Sequence, residues 1–144
     1  MSAEIIDGKM VAELLRNRVK EDVQQWCDKG NRPPYLQVIL VGDDPASIVY
    51  TGTKTKACQQ VGIQTETMVL QDTISEKELT KIIQSCNTND NIDGILVQMP
   101  LPSHLSQHTV IETIDHRKDV DGFHPMNVGR LSLDQPCFKI LVIL

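Results

Sequence analysis

Aromatic residues are the clearest shortage in this chain. Phe, Trp and Tyr together make up 3% of its 144 residues, so stacking platforms for single-stranded nucleic acid have little to be built from. The net charge of −5 also disfavours a phosphate backbone as the main partner, because such partners select surfaces rich in Lys and Arg. We therefore expect no nucleic-acid partner.

The cysteines are too scattered to form a paired site. No C-x-x-C pair occurs among Cys27, Cys58, Cys86 and Cys137, which argues against both a zinc site and a disulfide framework. We interpret them as reduced, mostly packing cysteines of an intracellular protein. His104 and His108 are spaced as a pair of ligands, but no acidic or thiol ligand completes the set, so no metal site is predicted.

Long hydrophobic runs are also missing. No apolar run approaches the roughly 20 residues that span a bilayer, and no membrane partner is expected. The N-terminal residues lack the apolar core of a signal peptide and are too acidic for a transit peptide. No targeting segment is visible, which leaves the cytosol and the mitochondrial matrix open. With 40% hydrophobic and 23% charged residues, the chain has the composition of one globular domain.

Hydrophobic periodicity alternates along the chain between the helical and the strand type. An amphipathic helix is predicted over 9–28 and a buried strand follows at 35–42. The later segments are a helix from Pro45 to about Val61, a strand at 65–70, a helix opened by a Ser75 and Glu78 capping box, a strand beginning at Ile92, and a weaker helix over 105–114. The polar stretch HRKDVDGFHPMNVGR is predicted to be a loop.

This alternation predicts the α/β class. Helices between strands imply βαβ units, and hence a three-layer domain with a mostly parallel sheet flanked by helices. Ligands of such sheets bind beyond the carboxyl ends of the strands. The segments GDDPAS, QMPLP and KDVDGF should lie there.

The stretch SIVYTGTKTK presents Ser47, Tyr50 and Lys54 at spacings of three and four, which places them on one side of a helix. A solvated helix face is the more common meaning of an isolated Y-x-x-x-K. A glycine at position 52 destabilises the middle of a helix by about 1 kcal/mol relative to Ala. Two interpretations are open: Gly52 permits close approach of a ligand or partner, or the fold simply tolerates it. A short-chain dehydrogenase is disfavoured because no G-x-G-x-x-G is present.

Two further polar features allow two interpretations each. Asp119 and Asp121 could present carboxylates to a ligand with several N–H donors, or could cap an Asp-Gly turn. Gln98 ends an apolar strand, where it either faces a cleft or is solvated.

Taken in order, VGDDPASIVYTGTKTKACQQVGI, DGILVQMPLP and KDVDGFHPMNVGRL closely resemble the methylenetetrahydrofolate dehydrogenase/cyclohydrolase family. The resemblance spans nearly the whole chain. It implies a folate-binding domain that faces a separate Rossmann domain across a cleft. It also implies oxidation of 5,10-methylenetetrahydrofolate to 5,10-methenyltetrahydrofolate with NADP or NAD, followed by hydrolysis to 10-formyltetrahydrofolate.

The resemblance also implies roles for individual residues. Lys54 is expected to be the principal catalytic residue, and Gln98 to hydrogen-bond to it and tune it. Asp121 is expected to accept N–H groups of the pterin ring, and Tyr50 to position the folate. The remaining expected substrate-binding residues are Pro100 and Ser47, although Ser47 could instead cap its helix.

The family pattern is not followed to the end of the sequence. We expect the catalytic domain to occupy 1–137 and a divergent apolar tail to occupy 138–144, with no cofactor-binding residues in this chain. Dehydrogenase activity of the chain alone is therefore not expected, whereas hydrolysis needs only the lysine and a water. The alternative is a non-catalytic form that binds folate, forms a homodimer or pairs with a full-length partner.

Overall fold

The computed structural model describes residues 7–136, and in this part helices and strands alternate as predicted. Their bounds are α1 (Gly8–Asp28), β1 (Tyr35–Val41), α2 (Pro45–Gln60), β2 (Gln64–Leu70), α3 (Glu76–Thr88), β3 (Gly94–Val97), α4 (Gln107–Thr113) and α5 (Pro125–Ser132). Among these helices none is both long and apolar enough to cross a membrane. Cys137 and the expected tail at 138–144 lie outside the described residues.

The sheet is parallel, with strand order β2-β1-β3. Its central strand β1 pairs with β2 along all of Tyr35–Val41, and with β3 from Leu36 to Ile39. The outer edge of β3 receives one further bridge, in which Ile95 pairs with Asp119 and its N–H donates to the Lys118 carbonyl at 2.7 Å. The predicted parallel sheet is thus confirmed, and the Asp119 segment runs beside it.

Helices cover both faces of the sheet. On one face, the aliphatic side chains of β1 and β3 pack against α3 and α4 in a core that includes Ile39, Val41, Ile95, Val97, Leu79, Ile83 and Val110. On the other face α2 lies over β1 and β2, above the buried side chains of Val38 and Leu40. Burial of each such side chain contributes roughly 1.5–3 kcal/mol, so these two layers hold the strand ends in place.

Local signals set most helix ends. The Ser75 and Glu78 capping box forms as predicted, and Gly62 has a φ of +86° just after α2, a conformation that glycine adopts without strain. Helix α1 has the predicted apolar stripe, but Val23 is its one buried residue. The side chains of Met10, Leu14 and Leu15 are exposed.

The prediction of a loop over HRKDVDGFHPMNVGR is wrong at its C-terminal half, where α5 forms. Pro125 occupies the first turn, a position that suits proline, and the His124 ring accepts a hydrogen bond from the Met126 N–H. Asn127 then anchors the helix through its amide nitrogen, which donates to the His116 carbonyl at 2.8 Å and to the Asp119 carboxylate at 3.0 Å. Gly129 weakens the local helical signal, and these tertiary contacts override it.

Candidate functional site

Helix α2 turns three polar side chains toward the protein interior. Ser47, Thr51 and Lys54 are 4%, 4% and 6% exposed, and their spacing of four and three places them on one face of the helix. Lys54 is therefore not part of a solvated surface, in contrast to the exposed Lys56. A buried ammonium needs compensating partners, which makes the surroundings of Lys54 chemically informative.

Tyr50 provides one such partner. The Lys54 amine lies 4.6 Å from the centroid of the Tyr50 ring, within the range of a cation–π interaction. Helical side chains lean toward the N-terminus of their helix, and this brings Lys54 back over the residue one turn earlier. Tyr50 as a whole residue is 49% exposed, so it lies at the surface of the described structure while Lys54 is buried.

Asp121 completes what we call the Lys54 cluster, defined as Tyr50, Lys54 and Asp121. Burial raises the pKa of the Asp121 carboxyl, the positive charge of Lys54 opposes this rise, and the negative charge of Asp119 adds to it. The carboxylate thus lies within electrostatic reach of the lysine.

Burial likewise raises the pKa of the Cys58 thiol, one turn after Lys54, against the effect of the lysine charge.

Asp119 has a different role from Asp121. Asp119 is 3% exposed, and its carboxylate accepts hydrogen bonds from the Gly122 N–H at 3.0 Å and the His124 N–H at 2.8 Å. A third bond comes from the Asn127 amide at 3.0 Å. The turn-capping interpretation therefore holds for Asp119, whereas the Asp121 side chain has no such bonds among the described residues.

Gln98 lies at the carboxyl end of β3. Its backbone N–H donates to the Ile39 carbonyl at 2.8 Å, which extends the ladder by one residue, and its side-chain nitrogen donates to the Met99 carbonyl at 2.6 Å. Its side-chain oxygen is buried and has no hydrogen-bond partner among the described residues. The expected hydrogen bond to Lys54 is not formed there, and the oxygen remains free to accept one. Pro100 follows as an exposed residue of the same loop.

The start of α2 bears on the expected cofactor. Asp44 caps the helix and accepts the Ser47 N–H at 2.8 Å, so the suggestion that Ser47 is the cap is wrong. Hydrogen bonds from the Ser47 backbone and side chain lower the pKa of the Asp44 carboxyl. A dinucleotide pyrophosphate needs a glycine-rich turn with free N–H groups. Two carboxylates, Asp43 and Asp44, stand there instead, so these residues do not fit NAD or NADP.

Sequence reasoning missed two buried polar residues, one on α2 and one on α5. Thr51 has a buried hydroxyl with no partner in the described part of the chain, and its spacing of four from Ser47 was the signal that could have found it. Asn127, which is 2% exposed, lay in a segment assigned to a loop, and no local pattern distinguishes it.

Comparison with known proteins agrees with this architecture. Residues 6–121 match the family described as tetrahydrofolate dehydrogenase/cyclohydrolase, catalytic domain. The chain is 46% identical over 139 residues to the bifunctional protein FolD of Legionella pneumophila (strain Paris), with 96% of this chain and 49% of that protein covered.

Solved structures give the same result in three dimensions. A 5,10-methylenetetrahydrofolate dehydrogenase from the silkworm Bombyx mori superposes with a TM-score of 0.92 at 41% identity, covering 95% of this chain and 47% of that one. The bifunctional FolD of Campylobacter jejuni superposes with a TM-score of 0.86 at 43% identity, covering 90% and 45%. The chain thus spans about half the length of the relatives it matches.

Proposed function

Because the chain belongs to the tetrahydrofolate dehydrogenase/cyclohydrolase family, we propose that the Lys54 cluster binds a folate and hydrolyses 5,10-methenyltetrahydrofolate to 10-formyltetrahydrofolate. The observation that carries the proposal is the placement of the Lys54 amine, which is buried, lies over an aromatic ring and is within electrostatic reach of a carboxylate. An amine held in this way is positioned to exchange a proton with a bound substrate.

The side chains around Lys54 suit the parts of a folate. Asp121 is an acceptor for the N–H groups of the pterin ring, and a charged acceptor makes the stronger hydrogen bonds. The ring of the half-exposed Tyr50 offers a flat apolar surface for the bound ring system. The unpartnered oxygen of Gln98 can accept from the Lys54 amine or from the substrate. Ser47 and Pro100 are proposed to line the same site.

The proposed reaction is the addition of water to the methenyl carbon. For this step Lys54 first gives up its ammonium proton, and its amine then accepts one proton from the water as the water oxygen bonds to that carbon, which gives a tetrahedral intermediate. The bond from the carbon to N5 then breaks, N5 takes up the hydroxyl proton, and the formyl group stays on N10. One proton is released for each cationic substrate hydrolysed, and no oxidant is required.

Hydride transfer is not assigned to this chain. Relatives include a Trypanosoma brucei enzyme solved with NADP cofactor and an inhibitor, but the residues described here do not fit a dinucleotide. Dehydrogenase activity with NADP or NAD would therefore require residues other than those at the start of α2 in the described part of the chain. We propose that residues 1–137 act as a folate-binding unit separate from the apolar tail at 138–144, in either the cytosol or the mitochondrial matrix.

A second candidate function is binding without turnover. The absence of the expected Gln98–Lys54 hydrogen bond among the described residues favours it, because an untuned lysine would hold a folate without transferring its proton. Such a chain would sequester folate, form a homodimer or pair with a full-length partner.

The test combines binding and turnover. Isothermal titration with a folate analogue should show heat for the wild-type chain, and steady-state hydrolysis of methenyltetrahydrofolate should exceed the uncatalysed rate. Lys54→Met keeps the length of the side chain and should lower kcat by at least 100-fold, since general base catalysis contributes about 10²- to 10⁴-fold.

The matched control is Lys56→Met, the same change two residues along the helix at an exposed position. It should leave kcat and KM within twofold of the wild type. Equal turnover by the wild type and Lys54→Met would refute the catalytic role. Binding without turnover by the wild type would instead establish the second candidate function.

A further inference from the structure

Helix α5 differs from a helix held by core packing because the one residue that it buries is polar. Asn127 is 2% exposed, and it is the only buried residue of the eight in α5. The apolar residues Met126, Val128 and Leu131 of the same helix are exposed. A helix that packs on a core buries its apolar face, and a free helix of this length is marginally stable in water. Polar contacts of Asn127 therefore attach α5 to the rest of the described chain.

The Asn127 side chain is bonded to the carboxylate that organises the preceding loop. Its amide nitrogen donates to Oδ2 of Asp119 at 3.0 Å, and the same nitrogen donates to the His116 carbonyl at 2.8 Å. Both amide hydrogens are thus used, one on a side chain and one on the backbone three residues before it. Hydrogen bonds to a charged acceptor are among the stronger ones. Asn127 therefore fixes the position of the Asp119 carboxylate relative to α5.

The Asp119 carboxylate in turn holds the backbone next to Asp121. Its two oxygens accept the N–H groups of Gly122 and His124. Because Gly122 directly follows Asp121, the peptide group that joins these two residues is bonded to Asp119 at 3.0 Å. Gly122 has a φ of +70°, a left-handed conformation that glycine adopts without strain. The direction of the Asp121 side chain is therefore set by a backbone turn that Asp119 closes.

The other end of this loop is anchored independently of α5. The Lys118 carbonyl accepts the Ile95 N–H at 2.7 Å. The Lys118 ammonium donates to the carbonyls of Cys86 and Asn89 at 3.1 Å and 2.8 Å, at the end of α3, where a positive charge is favourable. The sheet and α3 thus hold the loop before Asp119, and α5 supports the part that follows.

We propose that Asn127 is a positioning residue that holds the Asp119 carboxylate and, through it, directs the Asp121 side chain toward a bound folate. The inference rests on the proposed function of the Lys54 cluster and adds to it a residue that does not touch the substrate. Binding groups keep their geometry when neighbouring hydrogen bonds support them. Asn127 therefore acts on the affinity for folate and not on proton transfer by Lys54.

A double-mutant cycle with Asp121→Ala tests this coupling. Asn127→Ala should raise the Kd for a folate analogue by roughly fivefold or more in isothermal titration, because the Asp121 carboxylate loses its fixed direction. In the Asp121→Ala background the same change should alter the Kd by less than about twofold. With methenyltetrahydrofolate as the substrate, Asn127→Ala should raise KM and leave kcat within about twofold. An equal rise in Kd in both backgrounds would overturn the proposal.

The matched control is Asn87→Ala on α3. The Asn87 side chain also makes two hydrogen bonds, since it donates to the Thr113 carbonyl at 2.7 Å and accepts the Asp115 N–H at 2.9 Å. It has no hydrogen bond to Asp119 in the described structure. Asn87→Ala should lower the urea midpoint, as Asn127→Ala does, and leave Kd and KM unchanged. An equal rise in Kd for the two variants would show that Asn127 has only a general structural role.

Amide hydrogen exchange tests the positioning without any folate. Asn127→Ala should reduce the protection of the Gly122 and His124 N–H groups by roughly tenfold or more, and Asn87→Ala should not. If Asn127→Ala does not fold, Asn127→Ser, whose hydroxyl can still donate one hydrogen bond, takes its place in both experiments. Unchanged protection of the two N–H groups would overturn the inference. Loss of protection in a chain whose wild type binds no folate would support the positioning of Asp121 and overturn only the proposed function.

Discussion

Asp119 and Asp121 are separated by a single residue, yet the fold uses them in different ways. Asp119 is bound by three N–H donors and holds the turn before α5 and the first turn of α5. Asp121 has no such bonds in the described residues, and burial raises its pKa. One carboxylate is bonded by the fold, and the other has no such bonds and is proposed to bind a ligand. Two carboxylates of one short motif can therefore have very different surroundings.

The largest expected effect is on the structural carboxylate. Asp119→Ala leaves three N–H groups without their acceptor in a buried position, and each such loss costs about 1–3 kcal/mol. We expect the free energy of unfolding to fall by about 3 kcal/mol or more, measured by urea denaturation. The exposed Asp22→Ala on α1 should change it by less than about 0.5 kcal/mol. Equal effects of the two variants would show that Asp119 has no structural role.

The second effect separates binding from stability. Asp121→Asn should weaken binding of a folate analogue by roughly tenfold or more, because a charge-assisted hydrogen bond contributes about 1.5–3 kcal/mol. The same variant should be at least as stable as the wild type, since it removes a desolvated charge. Titration calorimetry and urea denaturation measure the two quantities. A loss of stability without a loss of affinity would reverse the roles assigned to the two carboxylates.

A smaller change in stability is expected at Thr51, a buried polar residue whose hydroxyl is hydrogen-bonded to neither carboxylate. Its hydroxyl has no partner in the described structure, so Thr51→Val removes an unsatisfied group while keeping the shape of the side chain. We expect a gain of about 1 kcal/mol in the free energy of unfolding. A loss of similar size would mean that the hydroxyl finds a partner in solution.

The smallest effect is the pH dependence of the Asp121→Asn variant. A carboxyl whose pKa is raised in the folded state binds protons more readily when folded, so its stability penalty is present at neutral pH. The penalty disappears as pH falls through the folded pKa toward the ordinary value of 3.8. The stability difference between Asp121→Asn and the wild type should therefore shrink from pH 7 to pH 4. A difference that widens over this range would contradict the raised pKa.

Much of the fold could be predicted because its signals are local. The capping box at Ser75, the proline in the first turn of α2 and the glycine after it all act within a few residues. The α5 helix could not be predicted in this way. Its first turn depends on bonds from Asn127 to His116 and Asp119, and such contacts leave no periodic pattern.

In the candidate site, too, features set by local spacing could be predicted and contacts between side chains could not. The spacing of Ser47 and Lys54 predicted that they share a helix face, and the structure buries both. Spacing could not show that Tyr50 lies beneath the lysine amine, or that Asp44 and not Ser47 caps the helix. Nor could it show that the Gln98 side chain bonds to Met99 and leaves its oxygen unpaired.

By itself the sequence determined the order of helices and strands, the parallel sheet and the family, because these depend on periodicity, caps and the order of motifs. The tertiary structure alone decided which polar residues serve the fold and which remain available. That choice depends on which N–H groups and charges are brought together from distant segments. Burial then decides the role of each group, because a buried polar group either has a hydrogen-bond partner within the fold or is left to bond to a ligand.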